Sequence, residues 1–315
     1  MLMRSISLVF IVLSLTHCTR PQEMHVTSPA AVADNSPVRT SEPFTRVLVN
    51  GNVDVILYTG DTKPRVILHG DPRNLSDVHT SVHNGLLQVH VGKGYPHFGR
   101  VQAEIRTHYL TSFVYHGSGK IMAGNLQSAR LDLAIDNSGD TALTGKIALH
   151  KLIVKGSGRT QITGITPSQT CQIKLTGKSH VNLSGILDVT SLTMEGNSWV
   201  SLNWIKSNVL KVRAKGNAFI QMAGIANTLD LALMDKARFN GRYLRSTNVF
   251  VKTFGHSVAD ICALETQHTL ASDASNIYFH KLPEMKADFM AWNGSVLDMR
   301  DRDLPNSKDY TRYNR

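Results

Sequence analysis

The chain has 315 residues, a formal net charge of +10 and an apolar fraction of 42%. That length allows one elongated domain or two ordinary ones, and the apolar share is enough for a continuous core. Three cysteines are too few for a disulfide framework. The sequence also lacks the dense Lys/Arg run that nucleic-acid contact uses, so the lysines read as a scattered, solvated surface and no nucleic-acid partner is expected.

The first element is an export signal over residues 1–18, MLMRSISLVFIVLSLTHC, with Arg4 before an apolar stretch from Ile6 to Leu15. That stretch is too short for a permanent membrane span. Its end, LTHC, resembles a bacterial lipobox in which Cys18 is lipidated, although His17 stands where Gly, Ala or Ser is usual. Thr19 rather than Asp after that cysteine resembles the outer-membrane pattern of such lipoproteins. Ordinary cleavage near Ala30–Ala33 is the alternative and would give a soluble periplasmic or secreted protein. Residues 19–43 are rich in Pro, Ser, Thr and Ala without apolar periodicity, which predicts an extended tether.

Residues 44–108 carry strand patterns with turn signals at VNGN and HNG, and are expected to form an N-terminal cap with the first, irregular coils. From 109 to 299 a repeat sets in. Its turns start at Gly117, Asn137, Gly156, Gly177, Gly196, Gly216, Asp235, Gly255, Asp273 and Asn293, eighteen to twenty-one residues apart. Only Gly, Asn and Asp occur there, the residues that tolerate a left-handed backbone. The position two residues later is always Gly, Ser or Ala, as in the Gly-Ser-Gly of Gly117–Gly119. Apolar columns recur four residues before each turn residue, and four, six and mostly nine after it. Alternation within a run and a period near twenty between runs predict short strands that stack coil on coil, because one repeat cannot bury its face alone. The fold class is therefore all-β, a parallel β-helix of about ten regular coils of ~20 residues, roughly 50 Å long at the usual strand spacing. Residues 300–315 form a polar tail.

The Gly-Ser-Gly turns are not phosphate loops, since a second strand follows each one instead of a helix N-terminus. A β-helical lyase or hydrolase would need carboxylates stacked on adjacent coils. Asp235 and Asp273 are separated by Gly255, and Asp260 and Asp298 by Tyr278. No catalytic residue, cofactor or metal site is assigned.

The ordered segments FTRVLVNGNVDVILYTGD, LLQVHVG and VQAEIRTHYLTSFVYHGSGKI, followed by the Gly-Ser-Gly coils, resemble the "Putative auto-transporter adhesin, head GIN domain" family over residues 44–299. The resemblance implies an exported, right-handed parallel β-helix, often a lipoprotein, with no catalytic residues to transfer.

Two outward columns make the candidate binding face. Five residues after the turn stand Gln161, Asn182, Ser201, Gln221 and Asn240. Three residues after it stand Arg159, Trp199, Phe219 and Arg238. Aromatic faces beside amides suit contact with a glycan or a surface protein. The expected function is a non-enzymatic adhesin or polymer-binding envelope lipoprotein, its membrane contact made through Cys18. The alternatives are a β-helical carbohydrate-active enzyme and a structural envelope component. Ligand and oligomeric state stay open.

Overall fold

The computed structural model describes residues 38–40, 42–92, 96–167, 170–280 and 284–299. The expected signal segment with Cys18, most of the expected tether and the tail 300–315 lie outside them. The described chain is a right-handed parallel β-helix of about nine turns with 2% helix, which agrees with the expected class.

Each coil has three sides. The strand Ile121–Asn137 alternates buried and exposed residues except at two exposed pairs, Gly124–Asn125 and Ala129–Arg130. Those pairs are corners, because two adjacent outward residues can occur only where the chain bends. The first face follows the turn, the short second face lies between the two corners, and the third face leads into the next turn. Strands of 15 to 18 residues bend through the corners without a break, as in Trp199–Gly216 and Phe219–Leu233.

The inward columns form one core. Leu133, Leu152, Ile173, Leu192, Val212, Leu231 and Val251 are fully buried on the third face, and Val181, Val200, Ile220, Phe239 and Ile277 on the first. Thr269, polar within its column, is also buried and donates its hydroxyl to the Asp288 carbonyl at 3.3 Å. From Gly156 onward every turn residue has a positive φ, Asp235 (63°) and Asp273 (58°) included. Gly117 and Asn137 do not, so the first turns use small residues for a different reason. A Cβ on Gly139 would lie 2.5 Å from the carbonyl oxygens of Ser118 and Gly119 on the coil below. Close stacking excludes a side chain there.

The apolar columns hold with three corrections, the first being that Phe289, four residues before Asn293, is 47% exposed. Nine residues after the turn, Leu126, Ile165, Ile205 and Leu244 are buried, but Ile186 and Ile225 are exposed and Leu187 and Ala226 take the inward place. The coils differ at the first corner: Gly185 (136°) and Gly224 (138°) precede the exposed isoleucines, whereas Gly164 (77°) and Trp204 (71°) precede the buried Ile165 and Ile205. In the last coil Val296, not Leu297, is paired with Ile277 and packs on the core. Leu297 points outward.

The cap is built from eight strands: β1 (Val38–Thr40), β2 (Arg46–Asn50), β3 (Asp54–Thr59), β4 (Arg65–His69), β5 (Val78–His83), β6 (Leu86–Val91), β7 (Gln102–Thr107) and β8 (Ser112–Gly117). The pair β2–β3 is a regular coil. Strand β2 pairs in parallel with β8, and β3 with the start of Ile121–Asn137. The Gly51 N–H donates to the His116 carbonyl at 2.9 Å, so Gly51 heads the turn column. The chain then leaves the solenoid. Strands β6 and β7 add in parallel outside β2 and β3, and β5, β4 and β1 close the end by antiparallel pairing. Antiparallel strands at this end replace an open coil with hairpin-like edges. The Tyr115 hydroxyl ties the first two coils together, donating to the Val53 carbonyl (3.0 Å) and accepting from the Gly119 N–H (2.7 Å).

Candidate functional site

The first face carries the residues singled out in the sequence. Strand register places Arg159, His180, Trp199, Phe219 and Arg238 side by side on five consecutive coils. The same pairings align Gln161, Asn182, Ser201, Gln221, Asn240 and Asp260. The two columns are neighbours on one outward surface, because residues two apart on a strand share a face.

The rings are arranged differently from the expectation. His180 lies flat on Trp199, with centroids 4.0 Å apart and planes at 11°, and Trp199 is parallel to Phe219 at 6.4 Å and 4°. Both faces of Trp199 are therefore taken up by neighbouring rings, which leaves its edge toward solvent. Such stacking is worth about 0.5–1.5 kcal/mol per pair beyond burial. Both Trp199 and Phe219 are half-buried, and His180 holds its proton less readily than usual because burial and then the Arg159 charge disfavour the cation.

The amide column is unevenly accessible. Gln161 is exposed, Asn182, Gln221 and Asn240 are half-buried, and Ser201 is covered at 7% exposure beside the ladder. Ser201 thus belongs to the packing beneath the ring edges. The Asn182 side-chain oxygen and one Asp260 oxygen have no hydrogen-bond partner. The other Asp260 oxygen accepts from Arg242 at 3.3 Å. Burial nonetheless raises the Asp260 carboxyl above its ordinary range, with Arg242 and His280 pulling it partly back.

Among the described residues, no group of three His, Cys, Asp or Glu side chains is placed to hold a metal ion. Cys171 and Cys262 are buried, and burial pushes the Cys171 thiol up to about 12, with Asp188 and Asp132 adding to the effect. No helix among the described residues is long and apolar enough to cross a membrane.

The family model described as "Putative auto-transporter adhesin, head GIN domain" matches residues 43–191 and 167–283. The chain belongs to this family. No curated protein matches it. Among solved structures, the head GIN chain is similar to a "putative adhesin" from Parabacteroides merdae, at 14% identity over 84% of this chain and 95% of that one, TM-score 0.44. A second "putative adhesin", from Parabacteroides distasonis, matches at 14% identity over 83% and 95%, TM-score 0.44. A "Putative lipid binding protein" from Parabacteroides distasonis matches at 11% identity over 84% and 96%, TM-score 0.39.

Sequence inspection missed two features of this head GIN domain. The corner column Gly145, Gly164, Gly185 and Gly224 stands eight residues after each turn residue, a spacing present in the sequence. The other is the charge pattern of the third face, whose cations stand at fixed offsets before the turn.

Proposed function

We propose that this head GIN protein is a non-enzymatic cell-envelope adhesin, exported and tethered through a lipid on Cys18, that binds a polymer or surface protein along its first face. The observation that carries the proposal is the pair of in-register outward columns running over five coils. A rigid sheet holds Gln161, Gln221 and Asn240 at about 4.8 Å steps per coil, which suits an extended partner with repeated hydroxyl or amide groups. The aromatic ladder supports the strip from beside and supplies a dry, flat edge.

A glycan array probed with the wild type and with Gln221→Ala/Asn240→Ala tests this. The wild type is expected to select a defined set of glycans, and the double variant to lose that signal with an unchanged unfolding temperature. Selected glycans that the double variant still binds would overturn the assignment of the face. Metabolic labelling with a lipid precursor, compared between wild type and Cys18→Ser, tests the anchor. Label in both proteins, or in neither, would contradict it.

A further inference from the structure

The sequence scatters its lysines, but the coils collect them. The outward positions of the third face stand five, three and one residues before each turn residue. On the six coils that end at Gly156 to Gly255 they hold seven cations against two carboxylates, Glu195 and Asp230. Lys151, Lys174, Lys211, Lys215 and Lys252 are exposed and, among the described residues, form no ion pair with a carboxylate. Arg213 contacts Asp230 at 2.6 Å, and Lys155 contacts Asp136 at 3.1 Å.

This face is also the most regular part of the rod. From Lys151 to Lys252 its strands pair in register, and the shifts between neighbouring coils fall at or near the corners. The central column reads Lys174, Thr193, Arg213, Ala232, Lys252 on consecutive coils. A cation thus returns on every second coil, about 9.6 Å apart at twice the usual strand spacing. The residues between them, Thr193 and Ala232, are small, so nothing rises between one cation and the next.

We propose that the third face binds a linear acidic polysaccharide laid along the rod axis, with one carboxylate per disaccharide. The axial repeat is close to the length of one extended disaccharide, which brings successive carboxylates to Lys174, Arg213 and Lys252. Lys151 and Lys211 flank this line on one side and Lys215 on the other. A flat, positively charged strip raises the local concentration of a polyanion and is weakened by salt. This surface is separate from the amide and aromatic face, and its occupant is recognised by charge spacing.

The test is binding to immobilised hyaluronan, which has one carboxylate per disaccharide, measured at low salt beside Lys174→Gln/Lys252→Gln and Lys146→Gln/Lys206→Gln. Both pairs remove two exposed charges, and the second pair lies off the third face. The wild type is expected to bind, the first pair to bind about tenfold more weakly given typical exposed ion-pair strengths, and the second to bind within about twofold of the wild type. No binding by the wild type, or equal loss in both pairs, would overturn the proposal. So would binding to phosphatidylglycerol vesicles that depends on Lys174 and Lys252 without binding to hyaluronan. Binding that fails here while the glycan array still responds to Gln221 and Asn240 would sink this proposal and leave the first-face proposal standing.

Discussion

Replacing Gly185 by Ala tests the close stacking of coils at the first corner. Gly185 has a φ of +136°, and a Cβ added there would lie 2.2 Å from the Ile165 carbonyl oxygen and 2.6 Å from the Ile165 nitrogen. Ordinary contact begins near 3.4 Å, so the coils would have to part by more than 1 Å. Left-handed backbone strain costs roughly 1–2 kcal/mol. Parting the coils adds one or two weakened hydrogen bonds at about 1 kcal/mol each. Lost packing beside buried Leu183 and Leu187 adds about 1 kcal/mol. The sum, about 3–5 kcal/mol, corresponds to a fall in unfolding temperature of about 8–15 °C for a domain of this size. Gly60→Ala is the control. Its φ is +96° and nothing lies within 4 Å of the added Cβ, so only the backbone strain applies. Thermal unfolding followed by far-ultraviolet circular dichroism separates the two. A Gly185→Ala protein that unfolds no earlier than Gly60→Ala would refute the argument that backbone approach, rather than backbone conformation, selects glycine at this corner.

Three further outcomes are expected. Tyr115→Phe leaves the Val53 carbonyl and the Gly119 N–H without their shared partner and should cost about 1–3 kcal/mol in denaturant unfolding; an unchanged midpoint would show that the hydroxyl contributes nothing to the first coils. The raised carboxyl of Asp260 is more stable folded when protonated, so its contribution is present in acid and is lost as pH rises through the folded pKa. Asp260→Asn should therefore unfold at a higher temperature than wild type at neutral pH, with the difference shrinking as pH falls. A lower temperature at neutral pH would mean that the Arg242 contact outweighs burial. Cys171, buried and held up to about 12, should resist iodoacetamide at pH 8 in the native protein and react on unfolding; rapid native labelling would show that its coil opens readily.

The coils were legible in the sequence because their turn residues and apolar columns recur at nearly constant intervals. Gly51 was legible as part of the VNGN turn but not as a member of the turn column, since the excursion through β4–β7 places it 66 positions before Gly117, its neighbour in space. Periodicity at twenty residues cannot find a partner across that gap. The corner glycines were obscured in a similar way, because Trp204, in the strand between those of Gly185 and Gly224, carries the positive φ on a large exposed side chain. The first-face columns followed from strand parity alone, and the register aligns them. Ring orientation did not follow, because parity fixes which side a residue takes and not how its ring turns about χ angles. The basic face escaped notice for a plain reason: its cations sit at least two residues apart within a strand and about twenty apart between coils. A linear search for charge runs sees scatter where a stacked column makes a patch.

The central claim is that the first face of the rod is the adhesive surface. A crystal structure of the protein with a glycan selected on the array tests it most directly. The account predicts the glycan extended across the coils from Gln161 to Asn240, hydrogen-bonded to the Gln221 and Asn240 side chains and resting against the edges of Trp199 and Phe219. A glycan seated anywhere else, with those amides facing solvent, would contradict it.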